Sequence, residues 1–466
     1  MQATTNWSNN LRVEVHGDDV VGHAGAVIPR MLADATGLTS GLSGALSRPE
    51  VIHDRGAVLR DVAVSIAGGA QNLAGTAVLR DQHRLFGAVA SVPTMWRSLG
   101  EIDEAALRQV TAARNHTRGR VWGLIEARHG GIPASRTCYG DLGEQIVIRI
   151  DASLVAAHSD KQQAAGNFKG GYGFHPLLAW CDNTGELLAV IARPGNAGSN
   201  TAADHIAIID AAIAAIPARW RHNLLVTIDG AGASHAVIEY LTELNTRPGA
   251  SLAYSVGFDL DERARTAIGQ MPDAGWGAAL DAAGAARDDA QIAELTGLLR
   301  EGADGDRLAG WPPGMRILAR REPIEHGTQL SLFEQLAGYR YQLLATNTAG
   351  GQPQRLEARH RVHARVEGFI RCGKDTGLAR WPSHSFAINT AWVAAVAVAI
   401  DLLCWMRLLV LDGALANAEP ATLRYRLLHA AARLVKHSRN LVLRIPETWP
   451  WAHEFAAALN RVRAIP

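Results

Sequence analysis

The sequence predicts an α/β fold built on a mixed sheet. Alternating or fully apolar β-branched runs recur between about residues 144 and 258. Runs with apolar residues at three- and four-residue spacing separate them, an alternation that points to a sheet covered by helices. Before about 135 the spacing is helical throughout. At 466 residues the chain is too long for one ordinary core. Five segments are predicted: a mainly helical region over 1–135, an α/β core in two parts over 136–260 and 346–412, a β-rich insertion over 261–345, and a basic helical region over 413–466.

The elements follow in order. "VIPRMLADATGLTSGLSGAL", from Val27, predicts two short helices around a turn, only weakly like a helix-turn-helix. "DEAALRQVTAARNHTRGRVWGLIEAR" predicts one amphipathic helix, with acids early and arginines late as the helix dipole prefers. "EQIVIRIDASLV" alternates as a strand. "FHPLLAWCDNTGELLAVIAR" predicts two strands about an Asp-Asn-Thr-Gly turn. "TAADHIAIIDAAIAAI" reads as a helix, "NLLVTIDGAG" as a buried strand, "SHAVIEYLTEL" as a helix and "SLAYSVGF" as a strand. Residues 260–345 are rich in Gly, Asp and Ala, then give strand patterns in "GMRILARREP", "TQLSLF" and "YRYQLLATNT". An unstructured loop of that length is uncommon, so an insertion with its own β structure is predicted.

Composition bounds the function. The net charge is +1, so bulk charge does not mark a nucleic-acid binder and any basic surface must be a local patch. Two stretches qualify. Residues 355–380 hold seven Lys/Arg against three Asp/Glu, and the tail from Arg424 to Arg444 holds six Lys/Arg and no acid. Four cysteines without a Cys-x-x-Cys pair argue against a zinc module or a disulfide framework. The N-terminal stretch "MQATTNWSNNLRVEVHGDD" gives no signal-peptide pattern. "TAWVAAVAVAIDLLCWMRLLVL", from Thr390, is long enough to span a bilayer, but Asp401 in its middle is costly there, so a buried helix is predicted.

Three acids stand where chemistry is expected. Asp151 ends "IVIRID" and Asp229 ends "LLVTID", where "GAG" lets the backbone turn. Either acid alone fits a turn former or helix cap. On adjacent parallel strands, however, their carboxylates would approach and need a cation. "HRVHARVEGFIRCGK", from His360, holds the third, Glu367. At about 100° per residue from Glu367, His363 falls near −40°, His360 near +20°, Arg371 near +40° and Lys374 near −20°, while Arg361 and Arg365 point elsewhere. That stripe is either a solvated face with i,i+4 pairs or a catalytic face. Three carboxylates on two strands and one helix suit two divalent ions running an in-line phosphoryl displacement.

This order of acids, with the insertion between the second Asp and the Glu, resembles the DDE transposases with an RNase H-like catalytic core. The stretches "IVIRIDASLVAAHSDKQQAAGNFKGGYGFHPLLAW", "ARPGNAGSNTAADH", "VTIDGAGASH", "GMRILARREP", "WPSHSFAINTAW", "LRYRLLHAAARLVKHSRNLVLRIPETWPW" and "LFGAVASVPTMWRSL" bring it nearer to the bacterial insertion-sequence transposases of the 1380 family, close to the larger insertion-sequence-4 group.

The resemblance implies roles. Asp151, Asp229 and Glu367 match the metal-binding carboxylates, for two Mg²⁺ ions with Mn²⁺ as a substitute. Lys374 matches a phosphate-holding lysine. His360 and His363 stand where relatives keep Tyr and Arg, which leaves their part open between phosphate contact, metal ligation and a plain helix-packing role. Arg371, Lys169 and Arg439 are further candidates for phosphate. Trp276 and Trp311, in the insertion, are candidates for stacking on a flipped base or, alternatively, buried anchors. The implied partner is double-stranded DNA, at the transposon ends and the target. The implied assembly is a homodimer in the DNA complex, without a membrane, in the bacterial cytoplasm. The implied activity is cut-and-paste movement, with the 1–135 region contacting DNA and hairpin ends left as an option. A metal-dependent nuclease on the same fold and an inactive DNA-binding derivative are the rival readings.

Overall fold

The computed structural model describes residues 11–15, 18–198, 201–232, 234–249, 251–301, 305–324 and 331–466. A nine-stranded mixed sheet organises them. Its middle is the strand Ile146–Ala152, paired in parallel with Asn223–Ile228, which pairs in parallel with Ser251–Phe258. On the other side of Ile146–Ala152 lie Leu177–Cys181 and Leu187–Ile191, both antiparallel, joined by the expected tight turn with Gly185 at φ 76°. The helices Ala202–Ala215 and His235–Thr246 fall between the parallel strands, as their spacing predicts. Ser234 caps the second by accepting from the Val237 amide.

The insertion corrects the sequence reading. Its strands Gly277–Leu280, Ala286–Glu294 and Arg316–Pro323 do not make a sheet of their own. They continue the main sheet through Tyr339–Thr346, which is antiparallel to Ser251–Phe258. Of "TQLSLF", residues 328–330 lie outside the described residues. Ser331 starts the helix Leu332–Ala337 with a capping box to Glu334, so the rest of that stretch is not a strand.

Two short helices, Val27–Ala35 and Leu38–Ala45, flank Gly37 at φ 83°, a conformation that favours glycine. They pack with Arg55–Ala67, capped by Asp54, and with the long helix Glu104–His129. The tail is a second correction. Its basic stretch is helical only over Arg424–Leu428 and then forms a hairpin, Ala432–His437 with Asn440–Arg444, which pairs with Val20–Val21. The helix Ala452–Arg463 follows and packs on Val27–Ala35. One apolar cluster runs from Val21 through the sheet to Val462, so both ends of the chain share a core with the sheet.

The apolar helix Phe386–Leu409 is long and apolar enough to cross a membrane, yet it is mostly buried inside the protein. Asp401 explains its charge. It is fully buried and accepts from Arg114 and Arg118 on the helix Glu104–His129. Glu186, in the turn after Leu177–Cys181, accepts from Arg118, Trp122 and Trp405 at 2.7–2.8 Å. Two cations thus face two carboxylates in the interior, the pairing that a buried charge needs.

Candidate active site

Local sequence brings the two aspartates together. Ile150 is the parallel partner of Ile228, so the residues that follow them, Asp151 and Asp229, stand side by side, Asp151 still paired with Leu178 and Asp229 just past the end of its strand. The chain turns at once after Asp229 into Gly230–Gly232. Gly257 on the next strand makes room for that turn, since a Cβ there would lie 2.5 Å from the Gly230 nitrogen. Glu367 comes from the helix Arg365–Gly373, which packs its Val366 and Ile370 inward and leaves Glu367 exposed.

The three carboxylates act on one another. Asp151 is pushed up to about 7, first by burial and then by the charge of Asp229, with Glu367 adding to it; the Ala152 amide and Lys169 oppose this. The Lys374 ammonium is lowered by burial, held up by Asp151 and lowered again by Lys169. Asp151, Asp229, Glu367, Lys169 and Lys374 therefore share one local field. Among the described residues no three His, Cys, Asp or Glu side chains converge into a ready cage for an ion. The donor chemistry nevertheless fits a divalent cation: carboxylate oxygens only, in a mutual repulsion that such an ion would relieve.

A cleft opens from Asp229 and Glu367 along the sheet. Arg361, Arg320, Arg340 and Tyr341 line it. These arginines were missed. Arg320 and Arg340 sit on strands whose place beside the site depends on the insertion joining the main sheet, and the uniform helical wheel turned Arg361 away. Arg361 donates to the Leu280 carbonyl and pairs with Glu357 at 3.3 Å.

Other candidates move. Arg371 does not join the acids; it is exposed and makes a two-pronged ion pair with Glu419 at 2.7 and 2.8 Å. His360 and His363 line the same cleft as Glu367, but one nitrogen of each ring is turned to the sheet. A 3₁₀ turn, Val362–Ala364, separates the helices Pro353–Arg361 and Arg365–Gly373. Its tighter winding breaks the uniform wheel. Both rings hydrogen-bond to the sheet, His363 Nδ1 with Thr227 Oγ1 and His360 Nδ1 with Ser255 Oγ, each at 2.9 Å. Burial pushes His360 down to about 4 and His363 well below the usual range, so both are neutral near pH 7 and neither is a cationic phosphate clamp.

Arg439 lies in the exposed turn of the C-terminal hairpin, in a different sheet from the acids. Trp276 is buried, with the Arg321 guanidinium 4.3 Å above its ring, so no base can stack on that face. Trp311 is half-buried and meets the rings of His235 and Phe258 edge-on. An exposed aromatic next in sequence to Lys169 is Phe168, 70% exposed, with the Lys169 ammonium over its ring. The pattern "NFKGGYGF" held the signal, but the sequence could not say which aromatic residues stay exposed.

The chain was compared with known proteins. No curated protein matches it. Among solved structures, a cryo-EM structure of a piggyBac transposase synaptic complex with hairpin DNA matches at 8% identity, over 83% of this chain and 70% of that one, with a TM-score of 0.36. Residues 4–466 match the model of the family described as Transposase DDE domain group 1, and the chain belongs to that family of transposases.

Proposed function

We propose that this transposase cuts and joins DNA at the site of Asp151, Asp229 and Glu367, moving an insertion sequence of the 1380 type by cut-and-paste. The observation that carries this is the placement of two acids at the ends of adjacent parallel strands, within the field of a third on a facing helix. The strand order supports an RNase H-like core: Leu187–Ile191, Leu177–Cys181 and Ile146–Ala152 antiparallel, then Asn223–Ile228 and Ser251–Phe258 parallel.

Asp151, Asp229 and Glu367 would hold two Mg²⁺ ions, with Mn²⁺ as a substitute. When bound, such ions lower the pKa of an attacking water or 3′-hydroxyl and stabilise the leaving oxygen. The chain's own groups do the rest. Lys374 and Lys169, in the field of Asp151, would hold the scissile phosphate. Arg340, Arg320 and Arg361 line the cleft where the DNA backbone would run, and backbone contacts set its register. Phe168 offers an exposed face for an unpaired base, a contact worth about 1–3 kcal/mol. Bringing two transposon ends together calls for a homodimer in the DNA complex.

The test uses a duplex carrying the element's terminal inverted repeat, with Mg²⁺. Cleavage, followed by joining of pre-cleaved 3′-ends to a target duplex, is expected. Cleavage without joining would favour a nuclease on the same fold. Binding without either reaction would mark an inactive derivative.

A further inference from the structure

We propose that His360 and His363 are positioning residues that lock the Glu367 helix onto the sheet in one register, through Ser255 and Thr227. This rests on Glu367 being part of the reactive site.

A polar row crosses the sheet. Trp180 is the partner of Arg149, Arg149 of Thr227, Thr227 of Ser255, and Ser255 of Thr346, on five adjacent strands. Thr227, Ser255 and Thr346 are fully buried, between apolar neighbours such as Val226, Ile228 and Val256. A buried hydroxyl left unpaired is costly, so the row favours polar partners on the element that covers it.

The chain from Arg359 to His363 supplies one for each hydroxyl. Arg359 reaches Thr346 and Thr348, His360 reaches Ser255, and His363 reaches Thr227. Arg365 pairs with Asp182, which also holds Arg149, and Phe369 stacks on Trp180.

The spacing makes the match specific. Neighbouring strands lie about 4.8 Å apart. The two imidazoles stand 6.4 Å apart and nearly parallel, 13° between planes, so each meets its own strand. The 3₁₀ turn that holds His363 sets this spacing. A slip of one residue would take both imidazoles from their hydroxyls and leave Thr227 only its longer contacts to Arg149 and Ile148, at 3.3 and 3.4 Å. Side chains two apart on a strand share a face, so Thr227 shares its face with Asp229, and Arg149 shares its face with Asp151. The helix is thus gripped one same-face step behind the two aspartates, which sets where Glu367 stands relative to them.

The Nδ1 contact makes the test sharp. Asn places an amide atom near the Nδ1 position, and Leu places none. In His363→Leu, amide exchange over 365–373 in the metal-free protein should quicken at least about tenfold, and the Mg²⁺ needed for half-maximal cleavage should rise about 10–100-fold, the usual cost of losing an outer-shell support. Affinity for the terminal-repeat duplex in Ca²⁺ should stay within about threefold, less than the loss of one good contact. His363→Asn should recover most of the wild-type exchange and Mg²⁺ requirement. Thr227→Val should reproduce His363→Leu, and the two together should be no worse than either. The proposal is overturned if Asn and Leu behave alike, if Thr227→Val exchanges as wild type does, or if His363→Leu loses duplex affinity with exchange unchanged. A wild-type protein that cuts no duplex in Mg²⁺ or Mn²⁺ would refute the cleavage reading instead, and exchange alone would then decide the docking.

Discussion

Replacing Asp401 with Asn tests the buried charge cluster that seats the apolar helix. Asp401 and Glu186 balance Arg114 and Arg118, and no member is more than 5% exposed. Asp401→Asn keeps the size but leaves two guanidiniums against one carboxylate. Arg114 then loses a charge-assisted contact to both Asp401 oxygens, and Arg118 loses one at 2.9 Å. Breaking a buried pair in this way costs about 3–5 kcal/mol. Urea unfolding read by tryptophan fluorescence is the assay, because Trp122 and Trp405 both donate to Glu186 within the cluster. Removing one cation as well, in Asp401→Asn/Arg114→Met, restores the balance. The double variant should therefore be more stable than the sum of the single losses predicts, by about 0.5–3 kcal/mol. A loss under about 1 kcal/mol for Asp401→Asn, the range of solvated pairs, would refute the idea of a dry, balanced cluster.

Asp151→Asn, Asp229→Asn and Glu367→Gln should each cut DNA cleavage by more than about a hundredfold, beyond the usual outer-shell effect, while gel-shift affinity for the terminal repeat persists. A variant that keeps cleaving removes its residue from the metal site. Arg340→Ala should weaken duplex binding for any sequence and reduce the salt slope of log K by about 1, measured by titration at several salt concentrations. Phe168→Ala should weaken the cleaved-end complex by about 1–3 kcal/mol without moving Tm. Trp276→Ala should instead destabilise the fold by about 3–5 kcal/mol, as loss of a buried aromatic does.

The aspartates were legible because their signals are local. An apolar strand that stops at an acid followed by glycine can be read from ten residues, and Asp151 and Asp229 do lie side by side. The long helix Glu104–His129 and the buried fate of Asp401 were legible for the same reason: spacing, capping and the cost of an unpaired acid are properties of the segment itself. The insertion was only half legible. "ARDDAQIAE" forms a nine-residue strand, Ala286–Glu294, although its charges mask the alternation. The tail misled because "LRYRLLHAAARLVKH" carries helical spacing up to the point where pairing with Val20–Val21 takes over.

The sequence by itself determined the order of the acids and the type of each main strand and long helix, because these depend on neighbours within a turn or two. Only the tertiary structure decided which side chains meet the acids. His360 went to Ser255 and His363 to Thr227, Arg371 to Glu419, and Trp276 into the core, while Phe168 stayed exposed. The physical reason is that a buried polar group must find its partner wherever the fold puts one, and the sheet under the cleft puts Ser255 and Thr227 within reach of the two imidazoles.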